Sequence, residues 1–178
     1  MHRPDAQSDG CGRSRRAQMR KHAFETRIEF AEPPAKVFDF FCEAENLDFL
    51  TPPWLRFRFI TPLPIRMRRG AEIEYRLRLY GVPVYWKTLI TRWDPPRSFQ
   101  DTQSRGPFRL WMHTHSFEER DGGTLMRDSV LYAVPGWILE PMVHRLFVRR
   151  SIERIFDYRR EQFARVFGVR SRHNDGGQ

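Results

Sequence analysis

The side chains best equipped for chemistry sit where polar and apolar residues alternate. In the run Trp111-Met112-His113-Thr114-His115-Ser116-Phe117, Trp111, His113, His115 and Phe117 share one face of an extended strand, because side chains two apart point the same way. Asp101 precedes this run and Asp128 follows it. The turn signal Ser104-Arg105-Gly106-Pro107 folds the earlier stretch back beside the histidines and keeps Phe99, Asp101 and Gln103 on their face. The turn Asp121-Gly122-Gly123 sets His115 opposite Asp128 and His113 opposite Val130, with Met126 and Tyr132 on the same side. Opposed side chains on paired strands lie about 5 Å apart. Asp101, His113, His115, Asp128 and Tyr132 are therefore expected as one polar cluster, and a one-residue slip in register would turn part of it to solvent.

Such a cluster supports three chemistries. A histidine oriented by an aspartate can move protons near neutral pH, which makes His113, His115, Asp128 and Asp101 the catalytic candidates. The same residues can instead satisfy one another as a buried hydrogen-bond network that positions a ligand. Two histidines at i and i+2 with either aspartate also number three metal ligands. Histidine pairs facing along a sheet are more often structural, so neither a metal nor a cofactor is expected.

The elements that must position these residues follow from hydrophobic period. His22 to Phe30 alternates as a half-buried strand, and Pro33-Pro34 opens a short helix to about Glu43. A second short helix, about Glu45 to Leu50, stops before Pro52-Pro53. Five further strand patterns lead up to the last strand, Thr124 to Val134: Leu55 to Phe59, Glu72 to Tyr80, Val84 to Trp93 after a turn at Gly81-Val82-Pro83, Ser98 to Gln103, and Phe108 to Glu119. After Pro135-Gly136-Trp137 the period lengthens to 3.6, predicting an amphipathic helix from Pro141 to Phe167 that ends at Gly168. Such a helix spans on the order of 40 Å, enough to cross a whole sheet.

The reading is one α+β domain over 22–168: a seven-stranded curved antiparallel sheet wrapped around a long C-terminal helix, with two short helices after the first strand. Residues 1–21 and 169–178 are expected as disordered tails, and Met19 is an alternative translation start. One helix covers only a stripe of a concave sheet, so a hollow is expected between them, fit for an apolar molecule. Tyr75, Trp86, Phe99, Gln103, Trp111, Phe117, Val130, Tyr132, Met142 and Leu146 are the candidates to line it, and Trp54 and Trp137 to flank its entrance.

Composition narrows the classes. The chain of 178 residues is 40% hydrophobic and 14% aromatic, enough to bury a core. Its net charge of +9 is almost all arginine, interleaved with apolar residues as at Arg56, Arg58, Arg76 and Arg78. That is the wet face of a sheet, and without a stacking or groove-reading motif it predicts no specific nucleic acid. Weak contact with an anionic membrane surface is compatible with the charge. The first twenty residues lack the apolar run of a secretory signal, and Cys11 and Cys42 have no metal-site spacing, so a cytoplasmic location is expected. Oligomeric state is not legible.

The order β-α-α-β6-α resembles the helix-grip superfamily SRPBCC, which includes START lipid-transfer domains, the birch-pollen allergen and polyketide cyclases. The motifs Trp93-Asp94-Pro95-Pro96, Phe99-Gln100-Asp101, Gly106-Pro107-Phe108, the His113/His115 run, Asp128-Ser129-Val130-Leu131-Tyr132 and Ile155-Phe156-Asp157-Tyr158-Arg159 resemble a bacterial branch of it, over about residues 22 to 168. The resemblance implies binding of a lipid, quinone or polyketide-like molecule. It leaves open an acid/base enzyme of cyclase, dehydratase or isomerase type, or a docking module that uses its basic surface, because members of one fold do different chemistry.

Overall fold

A computed structural model describes residues 19–135 and 140–168. The elements run β1 (His22–Phe30), α1 (Pro34–Cys42), α2 (Asn46–Phe49), a 3₁₀ turn (Pro53–Leu55), β2 (Arg58–Phe59), β3 (Glu72–Leu79), β4 (Val82–Asp94), β5 (Ser98–Arg105), β6 (Leu110–Arg120), β7 (Gly123–Ala133), α3 (Glu140–Val143), a π-helical segment (His144–Val148) and α4 (Arg149–Phe167). The seven strands form one antiparallel sheet in the order β1-β7-β6-β5-β4-β3-β2. This is the expected helix-grip arrangement.

Turn chemistry sets the register. Tyr80 and Gly81 carry φ of 52° and 82°, and Asp121 and Gly122 carry 53° and 71°. Two successive residues at positive φ make the two-residue turn whose twist matches the flanking strands. The β3–β4 turn therefore falls at Tyr80-Gly81, and Val82 and Pro83, expected in the turn, begin β4. Register shifts at Lys87/Thr88 and Ile90/Arg92 in the β4–β5 pairing bend the sheet around the helix. The second strand shrinks from the expected Leu55–Phe59 to Arg58–Phe59. Leu55 closes the 3₁₀ turn and Arg56 adopts a left-handed φ of 47°, which breaks the alternation.

The core divides in two. Under α1, Phe30, Phe38, Phe99, Phe117, Met126 and Phe163 pack together. Under the first half of α4, Val130, Tyr132, Ile152 and Phe156 do the same. Gly168 ends α4 at φ 65°, as expected. Trp137, Cys11 and all but residues 19–21 of the expected tails lie outside the described residues. Among the described residues, no helix is long and apolar enough to cross a membrane.

Candidate functional site

A cavity of about 580 Å³ lies between the concave face of the sheet and α4. Ile73, Leu77, Trp86, Phe108, Trp111 and Ile155 are among its apolar walls. Its polar groups include Asp101, His113 and His115 from the central strands, Tyr75 and Thr88 from β3 and β4, and Arg159 from α4, with Glu43, Asn46, Thr51 and Ser151 elsewhere on the wall.

The central strands bring four residues of the expected cluster together, Asp101, His113, His115 and Asp128, while the Tyr132 hydroxyl turns to His144. His113 pairs with Val130 and His115 with Asp128 across β6–β7, while Asp101 faces His113 and Phe99 faces His115 across β5–β6. Each imidazole spans both carboxylates. His113 Nε2 lies 3.1 Å from Asp128 Oδ1 and its Nδ1 lies 3.5 Å from Asp101 Oδ2. His115 Nε2 lies 3.3 Å from Asp101 Oδ2, and its Nδ1 approaches Asp128 Oδ1 to 2.6 Å without the alignment of a hydrogen bond. The ring centroids of His113 and His115 are 3.8 Å apart, and Phe99 stacks on His115 at 4.1 Å. Asp128 is 2% exposed and sits behind the histidines; Asp101, His113 and His115 face the cavity.

Burial and charge pull against each other here. Burial disfavours the carboxylate of Asp128, but the charge of His115 and the hydrogen bond from His113 outweigh it and hold the carboxyl well below its usual range. Asp101 is lowered by the same contest, in which hydrogen bonding from His115 and the charges of His113, His115 and Arg159 overcome burial. Burial, reinforced by the charge of His115, lowers His113. For His115 the two carboxylates win over burial and raise it. Burial also raises the Tyr75 hydroxyl, which lies 3.3 Å from Thr88 Oγ1.

Of the residues expected to line the hollow, Tyr75, Trp86, Phe99 and Trp111 do so. The other six do not. Gln103 turns back on its own loop, its Nε2 donating to the Phe108 carbonyl at 2.7 Å and its Oε1 accepting from the Phe108 amide at 3.2 Å. Phe117 packs edge-on against Phe38 under α1. Val130 is sealed against Ile152 and Phe156, and the Tyr132 hydroxyl pairs with His144 Nε2 at 2.8 Å. Met142 and Leu146 are 52% and 44% exposed. They miss the lumen because the π turn shifts the helix phase, so Val143, Phe147 and Val148 face inward instead. Trp54 packs edge-on against Tyr158 at 5.7 Å and lies under Arg154.

One polar residue in the wall that escaped the sequence reading is Arg159. Arg159 lies over the Phe156 ring at 5.2 Å, and its buried Nε has no hydrogen-bond partner among the described residues. The Trp86 Nε1 donor is likewise buried and unpartnered. The signal for Arg159 was present: it falls three residues after Phe156 and four before Phe163, on the apolar stripe of its helix.

Residues 31–156, well over half the chain, match the model of the family described as polyketide cyclase / dehydrase and lipid transport. No curated protein matches the chain. Solved structures similar in fold include the ginseng major latex-like protein 151 from Panax ginseng, 10% identical with a TM-score of 0.61 over 83% of this chain and 97% of that one. TTHA0849 from Thermus thermophilus is 17% identical, with a TM-score of 0.58 over 83% and 99%. Protein Ms6760 from Mycobacterium smegmatis is 18% identical, with a TM-score of 0.57 over 81% and 89%. Likeness at these identities establishes the fold.

Proposed function

The chain belongs to the polyketide cyclase / dehydrase and lipid transport family, and from that premise we propose that it binds an apolar small molecule (a lipid, quinone or polyketide-like compound) between sheet and α4, acting in the cytoplasm. The cavity of about 580 Å³ carries this reading, since it falls within the range of small-molecule sites and its walls are largely apolar. Arg159, on the cavity wall, supplies a cationic group for an oxygen-bearing end of the guest. Binding of such a guest is measured by fluorescence titration with anilinonaphthalene sulfonate, an apolar anion, and phenylnaphthylamine, its neutral counterpart. Saturable binding of either, abolished by Ile155→Trp, which fills the lumen, is the expected result. Equal binding by the filled variant would defeat the proposal. Native mass spectrometry of protein from its own cells identifies the natural guest.

A second reading takes support from the opening of His113, His115 and Asp101 onto the same cavity: the bound molecule undergoes cyclase- or dehydratase-type chemistry. Probe binding that survives His115→Ala, with loss of turnover of a polyketide substrate, separates the two.

A further inference from the structure

The histidine pair lies between two carboxylates. Toward Asp128, His113 Nε2 makes a hydrogen bond of 3.1 Å and His115 Nδ1 lies at 2.6 Å without hydrogen-bond alignment. Toward Asp101, His113 Nδ1 and His115 Nε2 lie at 3.5 and 3.3 Å from a single oxygen, Oδ2. The first of these contacts is not a hydrogen bond and the second is a long one. They equal the edge of a tetrahedron of ligands around a metal: bonds of about 2.1 Å to imidazole nitrogen and carboxylate oxygen put the ligand atoms about 3.4 Å apart.

We propose that Asp101, His113 and His115 form a binding site for a divalent transition-metal ion, with Asp128 holding the histidines from behind. One ligand atom from each of the three residues lies within 4.8 Å of the others. Imidazole and carboxylate together suit zinc, iron and cobalt rather than magnesium or calcium. Asp128 faces the ring nitrogens turned away from Asp101, which is the place of the carboxylate that orients metal-bound histidines. The three ligands face the cavity, so a fourth position opens toward whatever the lumen holds. This site stands on its own geometry and does not depend on the identity of the guest.

The test uses untagged full-length protein, stripped with a chelator and titrated with Co²⁺ by visible absorption and with Zn²⁺ by calorimetry. The expected result is one equivalent of each, with the ligand-field bands of tetrahedral cobalt. Asp128→Asn should weaken the affinity about 10- to 100-fold, and Asp101→Asn, His113→Gln and His115→Gln should each abolish the bands. His22→Gln and His144→Gln, remote from the cluster, should leave them unchanged. A folded wild-type protein that gives neither bands nor heat at millimolar metal overturns the site, and that readout needs no variant to fold. So does binding that persists in His113→Gln and His115→Gln. Either failure leaves probe binding in the cavity intact and so is distinct from failure of the ligand-binding reading.

Discussion

Asp128 holds both histidines from the buried side. Removing one partner from a buried charge pair leaves the other uncompensated, at a cost of about 3–5 kcal/mol. Asp128→Ala should therefore destabilise the chain by about that amount in urea denaturation. Its pH dependence, measured in chelator, has a definite sign. Asp128 and Asp101 are lowered in the folded state, so they contribute stability above their unfolded values near 4 that is lost as pH falls through the folded ones. His113, lowered too, adds to the acid loss. His115 is raised, so its contribution is complete below about 6.5 and disappears as pH rises through its folded value. Stability should fall on both sides of a maximum, and His115→Gln should flatten the alkaline limb. The groups in play come from every element around the cluster: Asp101 on β5, the histidines on β6, Asp128 on β7 and Arg159 on α4. Arg159→Met should weaken anilinonaphthalene sulfonate about tenfold, or 1.4 kcal/mol, and spare phenylnaphthylamine. Equal losses for both probes would remove Arg159 from the recognition of a charged end.

At the scale of elements, the π segment has the most consequence. It joins α3 to α4 and sends Phe147 toward the β3–β4 turn, where the Tyr80 hydroxyl donates to the Phe147 carbonyl at 2.7 Å and the two rings meet edge-on at 5.6 Å. Tyr80 and Phe147 both border the cavity and both reach the surface. This contact ties a hairpin tip to a helix across one end of the lumen. Tyr80→Phe removes the hydrogen bond and keeps the ring. It should speed release of a bound probe in stopped-flow displacement, with equilibrium denaturation changed by no more than about 1 kcal/mol. An unchanged release rate would place the route of exit elsewhere.

For the whole molecule, α4 borders the hollow through Ile155 and Arg159, while near its C-terminal end Phe163 is 1% exposed and meets Phe30, Phe40 and Phe41. Phe163→Ala should cost about 3–5 kcal/mol, measured by denaturant midpoint. An occupied cavity should stabilise the native state. A guest at a hundredfold excess over its Kd adds about 2.7 kcal/mol, which for a domain of this size raises Tm by about 5–10 °C. A saturating probe that leaves Tm unmoved would mean that it does not bind the native state selectively.

The sequence by itself determined the strands, their neighbours and the faces they present, because a period of two and a few turn residues carry that information locally. His22–Phe30 is strand as read, His115 pairs with Asp128 as read, and the cluster of His113, His115, Asp101 and Asp128 follows from register alone. What only the tertiary structure decided is how the faces close on one another. Val130, Tyr132 and Phe117 share the histidines' face yet lie beneath helices rather than on the lumen, and Gln103 is captured by its own loop. Arg159 turns inward although its residue type favours the surface. Periodicity says which side of an element is covered; whether the cover is a side chain or empty space depends on the curvature of the sheet and the path of the helix across it.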